Sequence, residues 1–208
     1  MTRIILTRHG HVEWIAPERF RGRAELPLSG LGERQAEALG QRIAQSWKPD
    51  AIYTSPLSRC VRTGAAIARA TTGAPAQVLD DLADTHYGQW QGLTHDEVRA
   101  RWPDEFRTWF AAPELAQIPD GETLADVLVR ALKVLRVVLH QHAGQTVVLV
   151  GHDSINRILL LHALGLPLAR YWRIKQEPCC VNEIEIDDGE ATVVRVNETQ
   201  HTVGLMPP

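Results

Sequence analysis

The sequence has only three cysteines among its 208 residues and no long apolar run. Cys179 and Cys180 are adjacent, so with Cys60 they form neither a disulfide framework nor the spacing of zinc ligands. No run of apolar residues approaches the length of a membrane span, and no N-terminal segment resembles a signal peptide. These absences predict a cytoplasmic protein with reduced thiols and no membrane partner.

Charge of one sign is not concentrated anywhere along the chain. The formal net charge is −3, charged residues make up 23% of the sequence and hydrophobic residues 44%. Since no basic block stands out, the composition predicts no nucleic-acid partner. The chain also lacks internal repeats and low-complexity segments, which predicts one globular domain over residues 1–208. The oligomeric state stays open, and a homodimer is compatible with the sequence.

Short apolar runs alternate with helical patterns. Residues 3–7, 51–54 and 146–150 have the composition of buried strands, and each is followed by a segment with helical periodicity. Two alternating segments at residues 181–186 and 192–196 predict an antiparallel hairpin at a sheet edge. This order predicts an α/β fold with three layers, α/β/α, around a mostly parallel central sheet.

Two of the predicted strands lead directly into histidines, in Arg8-His9-Gly10 and Gly151-His152. Ligands of open α/β sheets bind beyond the carboxyl ends of the strands, so His9 and His152 are expected to share one pocket. A neutral imidazole can attack phosphorus, and an arginine presents a fork of donors to a phosphate. Gly10 would let an oxyanion approach the backbone. A histidine at a strand end can also be purely structural, so this pattern alone does not decide the function.

Two arginines, Arg59 and Arg62, follow the predicted strand at residues 51–54 and lie three positions apart. That spacing places them on one helix face. Arg59 is a candidate for the same oxyanion pocket. A solvated helix face is the alternative, and for Arg62 it is the preferred one.

Several short motifs follow one another in an order that characterises a known family. They are Arg8-His9-Gly10, Ser55-Pro56-Leu57-x-Arg59, Tyr87-Gly88-x-Trp90-x-Gly92 and Gly151-His152, supported by Arg19-Phe20-Arg21-Gly22 and Gly121-Glu122-Thr123. Through these motifs nearly the whole chain resembles the histidine phosphatase superfamily, also called phosphoglycerate mutase-like.

The resemblance implies a metal-independent phosphatase that needs no cofactor and forms a phosphohistidine. The family's nucleophile maps onto His9, its two pocket arginines onto Arg8 and Arg59, and its second histidine onto His152. The implied phosphate-binding residues are Arg8, Gly10, Arg21, Gly22, Arg59, His152 and Asp153. The substrate would be a small phosphorylated metabolite, as for the α-ribazole phosphatase and phosphoserine phosphatase members of the family.

A departing alkoxide needs a proton, which a carboxyl group can supply. The family usually has a glutamate four residues before the first glycine of the Gly-x-Trp-x-Gly stretch, and here that position is Asp84. We assign Asp84 as proton donor to the leaving group and then as base for the attacking water. An aspartate that only stabilises a turn is the alternative, and Asp81 and His86 are neighbouring candidates for the acid.

Three positions near the first motif depart from the family pattern. Val12 stands where Ser or Thr is common, and Ile15 stands where Asn is common, so two polar contacts to phosphate are absent. His11 replaces a common glutamate. His9 and His11 could suggest a metal site, but no third ligand follows at a suitable spacing. We therefore predict no metal.

Two other functions remain open. A phosphoglycerate mutase must keep water away from the phosphohistidine, and such mutases usually carry a longer insertion than residues 92–119 offer. A phosphate-binding protein without catalysis would fit the changes at Val12, Ile15 and Asp84. Near the C-terminus, His201 is either a contact to the non-phosphate end of a substrate or a surface histidine.

Overall fold

A computed structural model describes residues 1–14, 18–71, 73 and 75–205. The strands of this part are β1 (Thr2–Arg8), β2 (Ala51–Thr54), β3 (Gln77–Val78), β4 (Thr146–Gly151), β5 (Val181–Asp187) and β6 (Glu190–Glu198). They form one sheet in the order β3-β2-β4-β1-β5-β6. The strands β1 to β4 pair in parallel, whereas β5 and β6 are antiparallel to their neighbours. The predicted α/β fold with a mostly parallel sheet and an edge hairpin is confirmed.

Six α-helices lie in the described part of the chain. They are α1 (Gly30–Ser46), α2 (Ser58–Ala70), α3 (His95–Arg101), α4 (Pro103–Ala111), α5 (Leu124–Gln141) and α6 (Asp153–Ala163). The helices α3 and α5 each begin with a capping box, formed by Thr94 with Glu97 and by Thr123 with Asp126. Among the described residues, no helix is long and apolar enough to cross a membrane.

Successive residues of the buried strands face opposite layers. On β1, Ile4 and Leu6 pack into the cluster that contains the apolar faces of α5 and α6. Ile5 packs into the cluster formed with α1 and α2. Because helices cover both faces of the sheet, its central strands carry apolar residues without alternation. Val12 belongs to the second cluster and is 1% exposed, which explains an apolar residue at that position, whereas Ile15 lies outside the described residues.

The carboxyl ends of β1, β2 and β4 meet at one edge of the sheet. The amide of His9 donates to the carbonyl of Gly151 at 3.1 Å, and the amide of Ser55 donates to that of Val150 at 3.0 Å. The residues that directly follow these three strands therefore lie side by side. This is the place where an open α/β sheet binds ligands.

Candidate active site

The two strand-end histidines face each other, with ring centroids 5.1 Å apart and 62° between the ring planes. Nδ1 of His9 lies 2.7 Å from the carbonyl oxygen of Gly10. Because a carbonyl oxygen only accepts, Nδ1 carries the proton and Nε2 keeps its lone pair. Burial, followed by Arg59, His152 and Arg8, lowers the pKa of His9 well below 6.5. The ring is therefore neutral at pH 7, as a nucleophile must be.

The second histidine, His152, is fully buried. Its Nε2 lies 2.8 Å from Oγ of Ser55, and its Nδ1 lies 3.6 Å from Oδ2 of Asp84. Burial, then Arg59 and Arg8, lowers the pKa of His152 well below 6.5. These neighbours favour the neutral imidazole. The negative charge of a phosphoryl group would act in the opposite direction and raise this pKa.

Two arginines border the histidine pair. Arg59 of α2 is fully buried, and its Nη1 and Nη2 donate to the carbonyls of Ala24 and Gly22 at 2.7 Å each. Nη1 of Arg8 donates to the carbonyl of Gln176 at 2.6 Å. Bonds to neutral carbonyls fix both guanidiniums without neutralising them. The Nε atoms of both arginines are buried without a hydrogen-bond partner, so the site presents positive charge and spare donors.

Asp84, the candidate acid, is 8% exposed. Its Oδ2 is 3.5 Å from Nη2 of Arg59 and 3.6 Å from Nδ1 of His152. Its Oδ1 accepts hydrogen bonds from Oγ of Ser154 at 2.6 Å and from the amide of Thr85 at 2.9 Å. The structure thus brings the acid candidate together with His152 and Arg59. Ser154 was not predicted from the sequence.

The loop that carries Asp84 is fastened by Arg130 of α5, which is 7% exposed. Nη1 of Arg130 donates to two carbonyls of the loop, that of Asp81 at 3.0 Å and that of Ala83. The Nε and Nη2 atoms of Arg130 donate to the carboxylate of Glu122 at 3.0 and 3.1 Å. Glu122 also accepts from the amide of His86 at 2.8 Å. Asp81 and His86 therefore contribute a backbone carbonyl and a backbone amide to the hydrogen bonds that hold the loop. Asp84 remains the candidate acid.

Both the sequence and the fold match known phosphatases. The sequence model of the histidine phosphatase superfamily (branch 1) matches residues 4–199. The chain belongs to this superfamily. Phosphoserine phosphatase 1 of Hydrogenobacter thermophilus is 31% identical over 203 residues, which cover 97% of this chain and 94% of that protein.

Solved structures of other phosphatases and relatives have the same fold as this histidine phosphatase. YhfR of Bacillus stearothermophilus superposes with a TM-score of 0.89 at 31% identity, covering 97% of this chain and 99% of that one. A mycobacterial glucosyl-3-phosphoglycerate phosphatase, solved as a complex with VO3, superposes with a TM-score of 0.85 at 26% identity. That comparison covers 95% of this chain and 99% of the mycobacterial one.

Two glycines of this histidine phosphatase, predicted to bind phosphate, have structural reasons of their own. A Cβ on Gly10 would lie 2.5 Å from the carbonyl oxygen of Gly32. The amide of Gly10 donates to Oγ1 of Thr63 at 3.2 Å, so it is already paired. Gly22 has a φ of +49°, which favours glycine, and its carbonyl holds Arg59. Direct contact of either glycine with phosphate stays a prediction.

A cavity of about 290 Å³ lies beside the carboxyl group of Asp84. Arg21 and Asp153, two predicted phosphate-binding residues, line it together with Ser154. Burial raises the pKa of Asp153 and lowers that of Arg21. His9 is 2% exposed and does not line this cavity, whereas Asp84, which lies beside His152, does.

Aromatic rings also line the cavity, and they belong to Phe20, Tyr87, Trp109, Phe110 and Trp172. The rings of Phe20 and Tyr87 also pack against each other, with centroids 5.1 Å apart. The cavity therefore combines charged groups with aromatic rings, a combination that is typical of small-molecule sites.

The side chains of three other candidates have partners outside the histidine pair. Arg62 is 62% exposed and pairs with a glutamate of α1, which confirms the surface interpretation. His201 is half-buried, and its Nε2 lies 2.9 Å from the carbonyl oxygen of Cys179. Nδ1 of His11 lies 2.8 Å from a serine hydroxyl. Within the part of the chain that the structure describes, no group of three or more His, Cys, Asp or Glu side chains could hold a metal ion.

Proposed function

We propose that this histidine phosphatase hydrolyses phosphomonoesters of small metabolites through a phosphohistidine on His9. The observation that carries the proposal is the facing pair of His9 and His152, 5.1 Å apart, with Arg59 and Asp84 beside it. Phosphoryl transfer spreads negative charge over three oxygens, so catalysis depends mainly on positioning and positive charge. Arg8, Arg59 and His152 supply donors and charge without a metal.

In the first step, the lone pair on Nε2 of His9 attacks phosphorus, and the bond from phosphorus to the ester oxygen breaks. The departing oxygen takes a proton from the carboxyl group of Asp84 and leaves as an alcohol. The proton on Nδ1 of His9 stays on the ring, hydrogen-bonded to the carbonyl of Gly10. That hydrogen bond stabilises the positive charge that the phosphorylated imidazole carries.

In the second step, water takes the place of the alcohol. The carboxylate of Asp84 removes a proton from this water, whose oxygen attacks phosphorus while the phosphorus–nitrogen bond breaks. Inorganic phosphate leaves, His9 returns to its neutral form and Asp84 is protonated again. Every group returns to its starting state, so the cycle consumes only ester and water.

The size of the substrate follows from the cavity and from the relatives. A volume of about 290 Å³ beside Asp84 accommodates a small alcohol or acid residue. Phosphoserine and glucosyl-3-phosphoglycerate, after which two relatives are named, are both small phosphorylated metabolites. We therefore place the substrate among small phosphomonoesters and expect neither a nucleic acid nor a membrane as partner.

The proposal is tested by phosphate release from a panel of phosphorylated sugars, phosphoserine, phosphoglycerates and nucleotide-loop phosphates, with and without a chelator. We expect hydrolysis of at least one ester, at the same rate with and without chelator. In His9→Ala we expect the rate of phosphate release to fall by about 10³-fold or more. His140→Ala, which changes an exposed histidine of α5, serves as control. Conversion of 3- to 2-phosphoglycerate without phosphate release would instead indicate a mutase, and vanadate binding without any turnover would indicate a binding protein.

A further inference from the structure

A largely buried arginine of α6, Arg157, has no part in the proposed phosphoryl transfer. Its side chain is 11% exposed. The guanidinium carbon lies 5.1 Å from the ring centroid of Tyr171 and 4.8 Å from that of Trp172. These two rings fix the guanidinium in place. A charged group this far from water is unfavourable unless its charge and its donors are used.

The hydrogen-bonding capacity of Arg157 is largely unused by the protein. Its Nε lies 2.9 Å from Oδ1 of Asp153, one helical turn earlier, which is close enough for an ion pair. The two atoms are not aligned for a hydrogen bond, and Nε and Nη1 of Arg157 are buried without a hydrogen-bond partner, as is Oδ1 of Asp153. Buried donors without acceptors are rare in native proteins and call for an explanation.

The location of Arg157 supplies that explanation. It lines the same cavity as Asp84, whose carboxyl group is engaged by Ser154 and by the histidine site. Arg21 also lines this cavity, and its Nη1 donates to the carbonyl of Trp14 at 3.4 Å. Two guanidiniums, of which Arg157 has unpaired donors, thus border the space into which the alcohol part of a phosphomonoester would extend.

We infer that Arg157 binds a carboxylate on the leaving group, so that the preferred substrates are phosphomonoesters of small hydroxy acids. The inference rests on the proposed function. A guanidinium matches a carboxylate through two parallel charge-assisted hydrogen bonds, which also orient the ester. The aromatic lining of the cavity, with Trp172 next to the guanidinium, limits competition from water. A leaving group without an anion would leave the donors of Arg157 unpaired.

The inference is tested with two pairs of esters that differ in one carboxylate. Phosphoserine is compared with phosphoethanolamine, and 3-phosphoglycerate with glycerol 3-phosphate. For the unmodified protein we expect kcat/KM to be at least about tenfold higher for the carboxylate member of at least one pair, as a charge-assisted hydrogen bond provides. In Arg157→Gln that ratio falls close to one, while kcat/KM for the ester without the carboxylate changes by less than about threefold.

Two further variants separate recognition from folding. Arg157→Lys keeps a positive charge beside Asp153 but loses the planar fork of the guanidinium. We therefore expect this variant to fold even if Arg157→Gln does not, and to show a reduced ratio of kcat/KM between the carboxylate ester and its partner. Arg107→Gln removes an arginine that is 74% exposed and should leave the ratio unchanged. The ratio between two esters is insensitive to a uniform loss of active protein, which a purely structural role of Arg157 would produce.

Each outcome bears on one proposal. The assignment of Arg157 would be overturned if Arg157→Gln still preferred the carboxylate ester. If Arg157→Gln does not fold, the same preference in Arg157→Lys would overturn it. Hydrolysis of both members of each pair at equal rates by the unmodified protein would also overturn it, and the proposed phosphatase function would stand. Absence of hydrolysis of any of the four esters, and of every ester in the wider panel, would count against the phosphatase function itself.

Discussion

The hydroxyl of Ser154 donates a hydrogen bond of 2.6 Å to Oδ1 of Asp84. Ser154 is the second residue of α6, whereas Asp84 lies on a loop 70 positions earlier in the chain. The other oxygen of Asp84 faces Arg59 and His152 at 3.5 and 3.6 Å. Because aspartate is one methylene shorter than glutamate, the position of the acid depends on contacts of this kind.

If Asp84 protonates the leaving oxygen, its removal should matter most for poor leaving groups. We expect Asp84→Asn to lower kcat/KM for alkyl phosphates by about 10²- to 10⁴-fold, the usual contribution of a general acid. The kcat/KM for p-nitrophenyl phosphate should fall much less, because its phenolate leaves without a proton, whereas kcat falls for both esters because it includes hydrolysis of the phosphohistidine. Steady-state kinetics on both esters, with Asp81→Asn as control, makes the comparison. An equal loss of kcat/KM on both esters would exclude the assigned acid role.

Ser154→Ala should reproduce part of this pattern. Loss of one hydrogen bond to the carboxylate that forms as Asp84 gives up its proton corresponds to about 1.5 kcal/mol, or roughly tenfold in rate. We therefore expect kcat/KM for alkyl phosphates to fall about tenfold, and kcat/KM for p-nitrophenyl phosphate to change little. If kcat/KM falls to the same extent for both substrates, Ser154 affects the whole site and does not act through Asp84.

The ion pair between Arg130 and Glu122 should be needed for stability. In Arg130→Met the loop carbonyls lose their side-chain donor, and Glu122 loses the guanidinium of Arg130 while it keeps the amide of His86, so we expect the free energy of unfolding to fall by about 2–3 kcal/mol. Urea denaturation measures the change. Arg136→Met alters an exposed arginine of the same helix and provides the control. Equal stabilities of the two variants would contradict the anchoring role.

Acid should destabilise the protein below pH 6.5. The pKa values of His9 and His152 lie well below 6.5 in the folded state, so the unfolded chain binds more protons in this range. The contribution of the two neutral histidines to the free energy of unfolding is therefore fully present above pH 6.5. It is lost as the pH falls, by up to about 1.4 kcal/mol per pH unit for each histidine. Urea denaturation between pH 5.5 and 7.5 should show this slope, and His152→Asn should reduce it. Greater stability at the acidic end would contradict the burial of neutral imidazoles.

Much of the fold and the centre of the site could be predicted from the sequence. Parallel strands end at one edge of a sheet, so the histidines after β1 and β4 had to be neighbours once the strands were recognised. Arg59 and Asp84 followed from the family motifs. The burial that keeps His9 and His152 neutral was not predicted, because it depends on the packing of α2 and the Asp84 loop around them.

The supporting residues depend on contacts between distant parts of the chain. Nothing near Ser154 in the sequence indicates that it bonds to Asp84, and Arg157 has the spacing of an ordinary helix residue. Arg130 did leave a signal, because it interrupts the apolar face of α5 between Val127 and Val134. A buried arginine on such a face usually has a partner, but the sequence did not indicate that the partner was Glu122.

The most direct test of the account is to trap the phosphoenzyme. Asp84→Asn lacks the base for the attacking water and should accumulate the intermediate when it is mixed briefly with p-nitrophenyl phosphate and quenched in alkali. Mass spectrometry of the peptides should then find one phosphoryl group on His9, stable to base and lost in acid, and none in the His9→Ala variant. A phosphoryl group on another residue, or full hydrolytic activity in His9→Ala, would contradict the central claim that His9 is the nucleophile.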